Sequence, residues 1–383
     1  MAADFSSWMI LQPTLPGVER SPVFGIFALL MKVDIRKLTF AELQDWFATR
    51  RHPAFRSKQV HEWLWKKSAT SFADMSNLSL ALRNELSEAF EINAIKVAEW
   101  QKSSDRTIKT AFKLCDGPVV EGVLIPTTSR MTACISSQAG CSLTCKFCAT
   151  GKLKLLRNLD AAEIYDQVAI IRKQSETQYG IPLSNIVYMG MGEPLLNYKN
   201  VLESVQKITS PEGLGMSPQR ITVSTAGIGK MIRKLGDDEV KFNLALSLHA
   251  ANDEKRSQIM PINESNNLDE MATSLQYFYY KTGTRPTLEY IIFKDFNDSL
   301  EDAAQLERFV RRVPSKVNII EYNPTGDGLF QRATESQLEL FSKYLEKKGV
   351  IVNIRKSRGR DIDAACGQLA NKNKAALHAL KES

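Results

Sequence analysis

"MTACISSQAGCSLTCKFCATG", residues 131–151, runs from a short strand-like stretch into a loop that holds three of the chain's six cysteines. Cys141, Cys145 and Cys148 are spaced by four and then three, with Phe147 just before the last thiol. Such spacing lets several thiolates converge on one centre from a single loop, which zinc and iron–sulfur clusters both exploit. A structural zinc ion would want a fourth ligand close by, and the nearest downstream histidine, His249, is about a hundred residues away. Three ligands leave one metal position open, as a catalytic metal requires. In a four-iron cubane they leave one iron free to chelate a small molecule. Inert packing, disulfides and structural zinc are the weaker readings.

Outward from this loop the chain alternates β-branched runs with amphipathic helical patterns. The strand candidates are "MTACISS", "NIVYMG", "RITVST", "KFNLALSL", "TLEYIIF" and "KVNIIEY", and helical patterns such as "AAEIYDQVAIIRKQ", "DEMATSLQYFYY" and "LEDAAQLERFVRR" lie between them. This α/β alternation predicts a parallel sheet, closed or partly closed into a (β/α)6 barrel. An open doubly wound sheet has the same pattern. In such barrels chemistry gathers where strands end, and the unusual segments fall there: the cysteine loop, then "GMGEP", "STAG", "SLHA" and "YNP".

With 383 residues the chain can hold one large domain plus a small one, or two of ordinary size. Apolar residues at 43% and charged residues at 24% fit a folded globular protein and argue against disorder. The apolar run "VFGIFALLM", residues 23–31, is about half of the ~20 residues a membrane-spanning helix needs, so no span is predicted. No convincing secretory signal precedes it. Unevenly spaced cysteines then point to a reducing compartment where thiols serve metals or catalysis, and the cytoplasm is the expected location. A formal charge of +7 hints at a polyanionic partner.

Five units are expected. Residues 1–30 read as a disordered or non-native extension, with Met31 a candidate start. Residues 31–100 read as a small N-terminal helical domain, 101–129 as a β-rich connection, 130–370 as the barrel, and 371–383 as a tail. The helical stretch carries Arg50, Arg51, Arg56, Lys58, Lys66 and Lys67 among His52, His61, Trp63 and Trp65. That mixture suits phosphate contact with base stacking, and equally a solvated basic face over core tryptophans.

The cysteine pattern followed by a GEP-type segment resembles the radical S-adenosylmethionine superfamily. Together with "RNLDAAEIYDQV", "YMGMGEPLLNY", "ITVSTAGI", "LALSLHA" and "KSRGRDIDAACGQL", it resembles the RlmN/Cfr family of RNA adenine methyltransferases over about residues 32–370. One departure is at Lys154 and Leu155, where the family commonly has Gly-Phe.

The resemblance implies a partial radical SAM barrel, a [4Fe-4S] cluster on Cys141, Cys145 and Cys148, and S-adenosyl-L-methionine as second cofactor. Carbon 2 of adenine is too electron-poor to attack a sulfonium methyl, hence a radical route carried by the cofactors. By resemblance Cys366 carries the methyl group that becomes the attacking carbon. Cys134 releases the product through a transient disulfide, and Glu121 accepts a proton. Gly192, Glu193, Ser224, Ser247, Leu248, His249 and Asn323 match cofactor-binding positions, with Glu193 offering a carboxylate to the ammonium. His249 is not a zinc ligand, and Cys115 has no assigned role. The implied partners are 23S rRNA, tRNA and a flavodoxin-type electron donor, with a monomer expected and no membrane. Carbon 8 of adenine is the alternative target, since both reactions use the same cysteines. Two further classes compete: a radical enzyme acting on a protein or small molecule, and a zinc-bound RNA-binding module.

Overall fold

The computed structural model describes residues 32–372. The expectations for residues 1–30, for Met31 and for all but the first two residues of the tail lie outside the described residues. The first three α-helices among the described residues are α1 (Phe40–Thr49), α2 (Phe55–Trp65) and α3 (Leu80–Ala89). Thr39 caps α1 in a capping box with Glu42, which satisfies first-turn N–H groups that would otherwise lack partners. Leu43, Phe47, Val60, Leu64, Trp65, Leu82 and Leu86 turn inward. Trp65 is therefore core, while Trp63 is half-buried and Arg50, Arg51, Lys58, Lys66 and Lys67 are exposed.

Next come β1 (Lys96–Lys102), β2 (Ile108–Lys113) and β3 (Val119–Pro126), joined antiparallel. β1 begins inside the stretch read as helical and runs two residues into the connection read as β-rich. It is an edge strand without a single buried residue, so its sequence carries no apolar alternation to reveal it. β3 pairs antiparallel with β4 (Met131–Cys134). From β4 the direction becomes parallel through β5 (Asn185–Tyr188), β6 (Ile221–Thr225), β7 (Asn243–Ser247), β8 (Thr287–Ile292), β9 (Lys316–Glu321) and β10 (Val352–Arg355). These strands form one sheet of ten, ordered β10-β9-β8-β7-β6-β5-β4-β3-β2-β1. All six strand candidates are present, and β10 is a seventh.

Helices fill the crossovers: α4 (Ala161–Tyr179), α5 (Tyr198–Thr209), α6 (Gly229–Asp237), α7 (Asp253–Ile259), α8 (Leu268–Thr282), α9 (Leu300–Arg312) and α10 (Glu335–Lys347). Asp160 and Glu163 form a capping box at the start of α4, and Gly180 at φ +66° ends it, a conformation glycine adopts at no steric cost. The result is one α/β sheet with helices across its connections. Hydrogen bonding does not close the sheet into a ring, yet Arg355 at the end of β10 reaches back to Met189 just after β5, Nη1 to Sδ at 3.7 Å.

The helical unit is fixed to this frame by a buried ion pair. Arg36 Nη1 donates to both carboxylate oxygens of Asp166 on α4, at 2.9 and 2.8 Å, while Asp34 accepts from the rest of the guanidinium. Among the described residues no helix is long and apolar enough to cross a membrane.

Candidate active site

The loop after β4 enters as a narrow two-residue ladder, Gln138–Ala139 against Arg157–Asn158, and the three clustered cysteines follow. Gly140 at φ +82° is pressed against the Lys154 carbonyl, where an added Cβ would lie 2.1 Å away. Lys154 and Leu155 thus shape the loop through their backbone, which tolerates the departure in side chains. Cys141, Cys145 and Cys148 all line one cleft of about 880 Å³ at the C-terminal ends of the strands. Burial pushes all three thiols up, Cys141 to about 11, so each must lose a proton to a metal to act as ligand.

Two thiolates on one tetrahedral zinc, each at about 2.3 Å, lie only about 3.8 Å apart. Among the described residues the three Sγ atoms do not all fall within 4.8 Å of one another, and as thiols lining one cleft they are a donor set that could hold a metal cluster. The acidic group that does meet that spacing, Cys115 with Asp116 and Glu163, is occupied by Arg157. Its guanidinium donates to Asp116 at 2.6 Å and to Glu163 at 2.8 Å. Cys115 stands at its edge without a catalytic neighbour.

Opposite the thiols, the segment after β5 supplies Gly192 and Glu193. Gly192 has φ +97°, and a Cβ there would strike Gln138 at 2.5 Å, so only glycine lets the backbone pass. Gln138 Oε1 in turn accepts from the Glu193 N–H at 2.8 Å. The Glu193 carboxylate accepts from Leu195 N at 3.0 Å and Ala226 N at 2.7 Å. It faces the cleft almost fully buried, and burial pushes its pKa up to about 7. A carboxylate short of a counter-charge is what an ammonium ligand would complete.

Ser224 and Ser247, at the ends of β6 and β7, bring their hydroxyls 3.4 Å apart on the cleft wall. His249 also lines it, in the left-handed region at φ +56°. The Ile291 N–H donates to its Nδ1 at 3.1 Å, so Nε2 carries the ring proton. Burial holds its pKa down to about 3, and Phe147 packs edge-on against it. Leu248 does not reach the cleft. It is fully buried, and its backbone N–H donates to the Glu289 carbonyl at 3.0 Å.

A second cleft of about 730 Å³ lies alongside, lined by Cys134, Met189 and the basic Lys356 and Arg358. Cys366 and Arg355 line both clefts. Cys366 is exposed, whereas Cys134 is buried and its thiol is pushed up to about 12 by burial and by Cys366. Arg355 pulls Cys134 the other way. Its guanidinium is aimed by Glu289, Nη1 to Oε2 at 3.0 Å.

The Cys366 segment is held by contacts from distant strands. Glu121 on β3, wholly buried, accepts through Oε2 from Ala370 N at 2.9 Å and Asn371 N at 3.0 Å. Its Oε1 sits 3.5 Å from Lys109 Nζ. Thr150 Oγ1 donates to the Leu369 carbonyl at 2.6 Å, and the Ala149 N–H to the Gly367 carbonyl at 2.7 Å. Asn323 Nδ2 donates to the Cys366 carbonyl at 3.3 Å, while its buried Oδ1 has no partner among the described residues. Glu121 and Asn323 therefore stand behind the cleft walls, and Asn323 keeps one acceptor for a ligand donor.

Sequence reading missed Arg355 and Glu289. The signal for Glu289 was a charged residue inside an otherwise apolar strand, the same oddity that marks Glu121, whereas Arg355 ends a strand that carries no apolar run.

Comparison with known proteins agrees with this geometry. Residues 33–92 match the model of the ribosomal RNA large subunit methyltransferase N-terminal domain, and residues 135–306 that of the radical SAM superfamily. An RlmN-type dual-specificity RNA methyltransferase of Cytophaga hutchinsonii is 58% identical over 90% of this chain and 94% of its own length. One from Geotalea uraniireducens is 44% identical over 88% and 96%. A crystal structure of a radical SAM methyltransferase from Sphaerobacter thermophilus superposes with a TM-score of 0.84 at 36% identity, covering 90% of this chain and 99% of that one.

Proposed function

The chain belongs to the RlmN family of radical SAM RNA methyltransferases, and we propose that it methylates carbon 2 of adenine in 23S rRNA and tRNA through a methyl-cysteine on Cys366. The observation that carries this reading is the place of Cys366, exposed on the shared wall of the two clefts. One cleft offers three thiols and a buried carboxylate. The other offers a second cysteine and a basic rim.

Cys141, Cys145 and Cys148 would hold a [4Fe-4S] cluster, and Glu193 the ammonium of S-adenosylmethionine, with Ser224, Ser247 and His249 along its length. When bound, these cofactors supply the methyl group and the one-electron chemistry that an electron-poor ring carbon demands. Gly192 lets the backbone approach closely, and neutral His249 offers its Nε2 proton at any pH near neutrality.

Cys366 then carries carbon from the first cleft to the second. For that carbon to bond to carbon 2, the ring must give up its own hydrogen there as a proton, for which Glu121 would be the acceptor, and the unpaired electron must pass back to the redox cofactor. RNA and protein are then joined. The Sγ of Cys134, as thiolate, attacks the Sγ of Cys366. A disulfide forms, the sulfur–carbon bond breaks, and its electron pair goes to the released methyl-bearing base, which takes up a proton. A thiol reductant returns both cysteines to thiols. Arg355, aimed by Glu289, favours the thiolate of Cys134 against the cost of burial. Glu121 would act from behind the segment, as a proton acceptor that also anchors it.

Lys356, Arg358 and the exposed cations of α1 and α2 would contact phosphates, and the target adenine must leave its stack to reach a site this recessed. A cytoplasmic monomer served by a flavodoxin-type donor completes the reading. Anaerobically reconstituted protein, given S-adenosylmethionine, reductant and unmodified 23S rRNA or tRNA, should yield 2-methyladenosine by nucleoside mass spectrometry. 8-Methyladenosine would reassign the target carbon. Neither product, from protein that cleaves S-adenosylmethionine, would overturn the substrate.

A further inference from the structure

Arg256, on the short helix α7, has no accessible surface at all. Its guanidinium makes four hydrogen bonds, every one to a neutral acceptor: the carbonyls of Leu248 at 3.0 Å, Ala226 at 2.6 Å and Ser247 at 3.1 Å, and Asn263 Oδ1 at 2.8 Å. It forms no ion pair among the described residues. The nearest acid, Asp253, is reached only through Asn263, whose Nδ2 donates to Asp253 Oδ1 at 2.9 Å. A guanidinium does not shed its proton in a protein, so a full positive charge sits in the interior without a partner. Such a charge is costly unless something nearby answers it.

What lies nearby is the cysteine loop. The Lys146 N–H donates to the Ile259 carbonyl at 3.0 Å, at the end of the helix that carries Arg256. Phe147, Ala226, Ala250, Ile259 and Met260 form one apolar cluster, and Cys145 and Cys148 pack against it. The charge and the loop thus share an apolar, buried setting.

We propose that Arg256 is a positioning residue for electron uptake: its buried guanidinium is the counter-charge to the iron–sulfur cluster on Cys141, Cys145 and Cys148, and it raises the potential at which that cluster is reduced. This rests on the cluster reading above. A [4Fe-4S] centre with three thiolates carries net negative charge, and accepting one electron from a low-potential donor makes it more negative by one. A fixed cation in a low-dielectric setting stabilises the reduced form more than the oxidised one. The three carbonyls bonded to Arg256 close the ends of β6 and β7, so the same side chain locks the cleft floor.

The test is an EPR-monitored redox titration of reconstituted full-length protein without S-adenosylmethionine, comparing wild type, Arg256→Gln, Arg256→Lys and Asn263→Asp at equal iron and sulfide per chain. Arg256→Gln removes the charge, and Asn263→Asp keeps Arg256 but sets a carboxylate on its Nη1. Both should disfavour reduction by about tenfold or more, a fall of about 59 mV for one electron. Arg256→Lys should stay within about threefold of wild type, because it keeps the charge while losing most of the bonds. If Arg256→Gln titrates like wild type, or Arg256→Lys falls as far as Arg256→Gln, the residue is a structural clip only and the inference fails. Should Arg256→Gln not take up a cluster, an unchanged potential in Asn263→Asp overturns it alone. Wild-type protein that binds no four-iron cluster would instead overturn the reading of the three cysteines.

Discussion

The two cysteine-bearing segments of the cleft are built in opposite ways. Residues 141–148 bring three thiols together within eight residues, in a loop shaped by the pressure of residue 154 on Gly140 and tied to the Ile259 carbonyl through the Lys146 N–H. Cys366 stands alone, and its segment is held by Glu121, Thr150, Ala149 and Asn323, all remote in sequence. A local pattern can be read from one stretch of chain. A segment fixed by long-range side chain to backbone bonds cannot, and it is also the one that would have to present its thiol to two clefts.

The sharpest way to break this contrast is Cys366→Ala. Methylated nucleoside should fall by at least about a thousandfold by mass spectrometry, the scale of losing a covalent catalyst, while iron, sulfide and S-adenosylmethionine cleavage stay at wild-type levels. Retained methylation would mean that the segment serves structure alone. Glu121→Gln comes next. It leaves Lys109, whose side chain is 6% exposed, without its anion, at a cost of about 3 kcal/mol. Denaturant melts should show that loss, and hydrogen exchange should quicken at Ala370 and Asn371 but not in the cysteine loop.

Glu193, proposed to meet the ammonium of S-adenosylmethionine, should respond to pH. Its carboxyl sits near 7, and an ammonium selects the ionised form. Affinity for S-adenosylmethionine should therefore hold above neutrality and weaken about tenfold between pH 7.5 and pH 6, because protonation competes below the raised pKa. In Glu193→Gln binding should be weak and flat across that range. The smallest effect is expected for Thr150→Val, which removes the bond to the Leu369 carbonyl at nearly constant volume and costs about 1 kcal/mol. It should weaken product formation and leave cluster content unchanged.

The same division separates what could be read in the sequence from what could not. β4 through β9 announce themselves as short runs rich in apolar and β-branched residues, bounded by helical patterns, with at least every second residue buried in most of them. β10 does not, since Asn353 and Ile354 in it are exposed and Val352 and Arg355 half-buried. α6 and α7 escaped because each spans fewer than ten residues, α6 with Gly229 at its start. Leu248 and Asn323 sit at expected positions but meet the site through backbone or through the Cys366 segment. Arg355, Glu289 and Arg256 owe their places to pairings across 66, 29 and 30 residues, with Arg355 held by Glu289, Glu289 by Asn318 and Arg256 by Ala226. No single stretch of sequence displays such pairings.

The transfer of carbon between the two clefts is tested most directly by Cys134→Ala. With the releasing thiol gone, reconstituted protein given S-adenosylmethionine, reductant and unmodified tRNA should accumulate a covalent RNA–protein species that survives denaturation. Peptide mapping should place the link on Cys366, and the Cys134→Ala, Cys366→Ala double variant should show none. A Cys134→Ala protein that turns over normally with no covalent species, or one linked through another residue, would contradict the division of labour between these two cysteines.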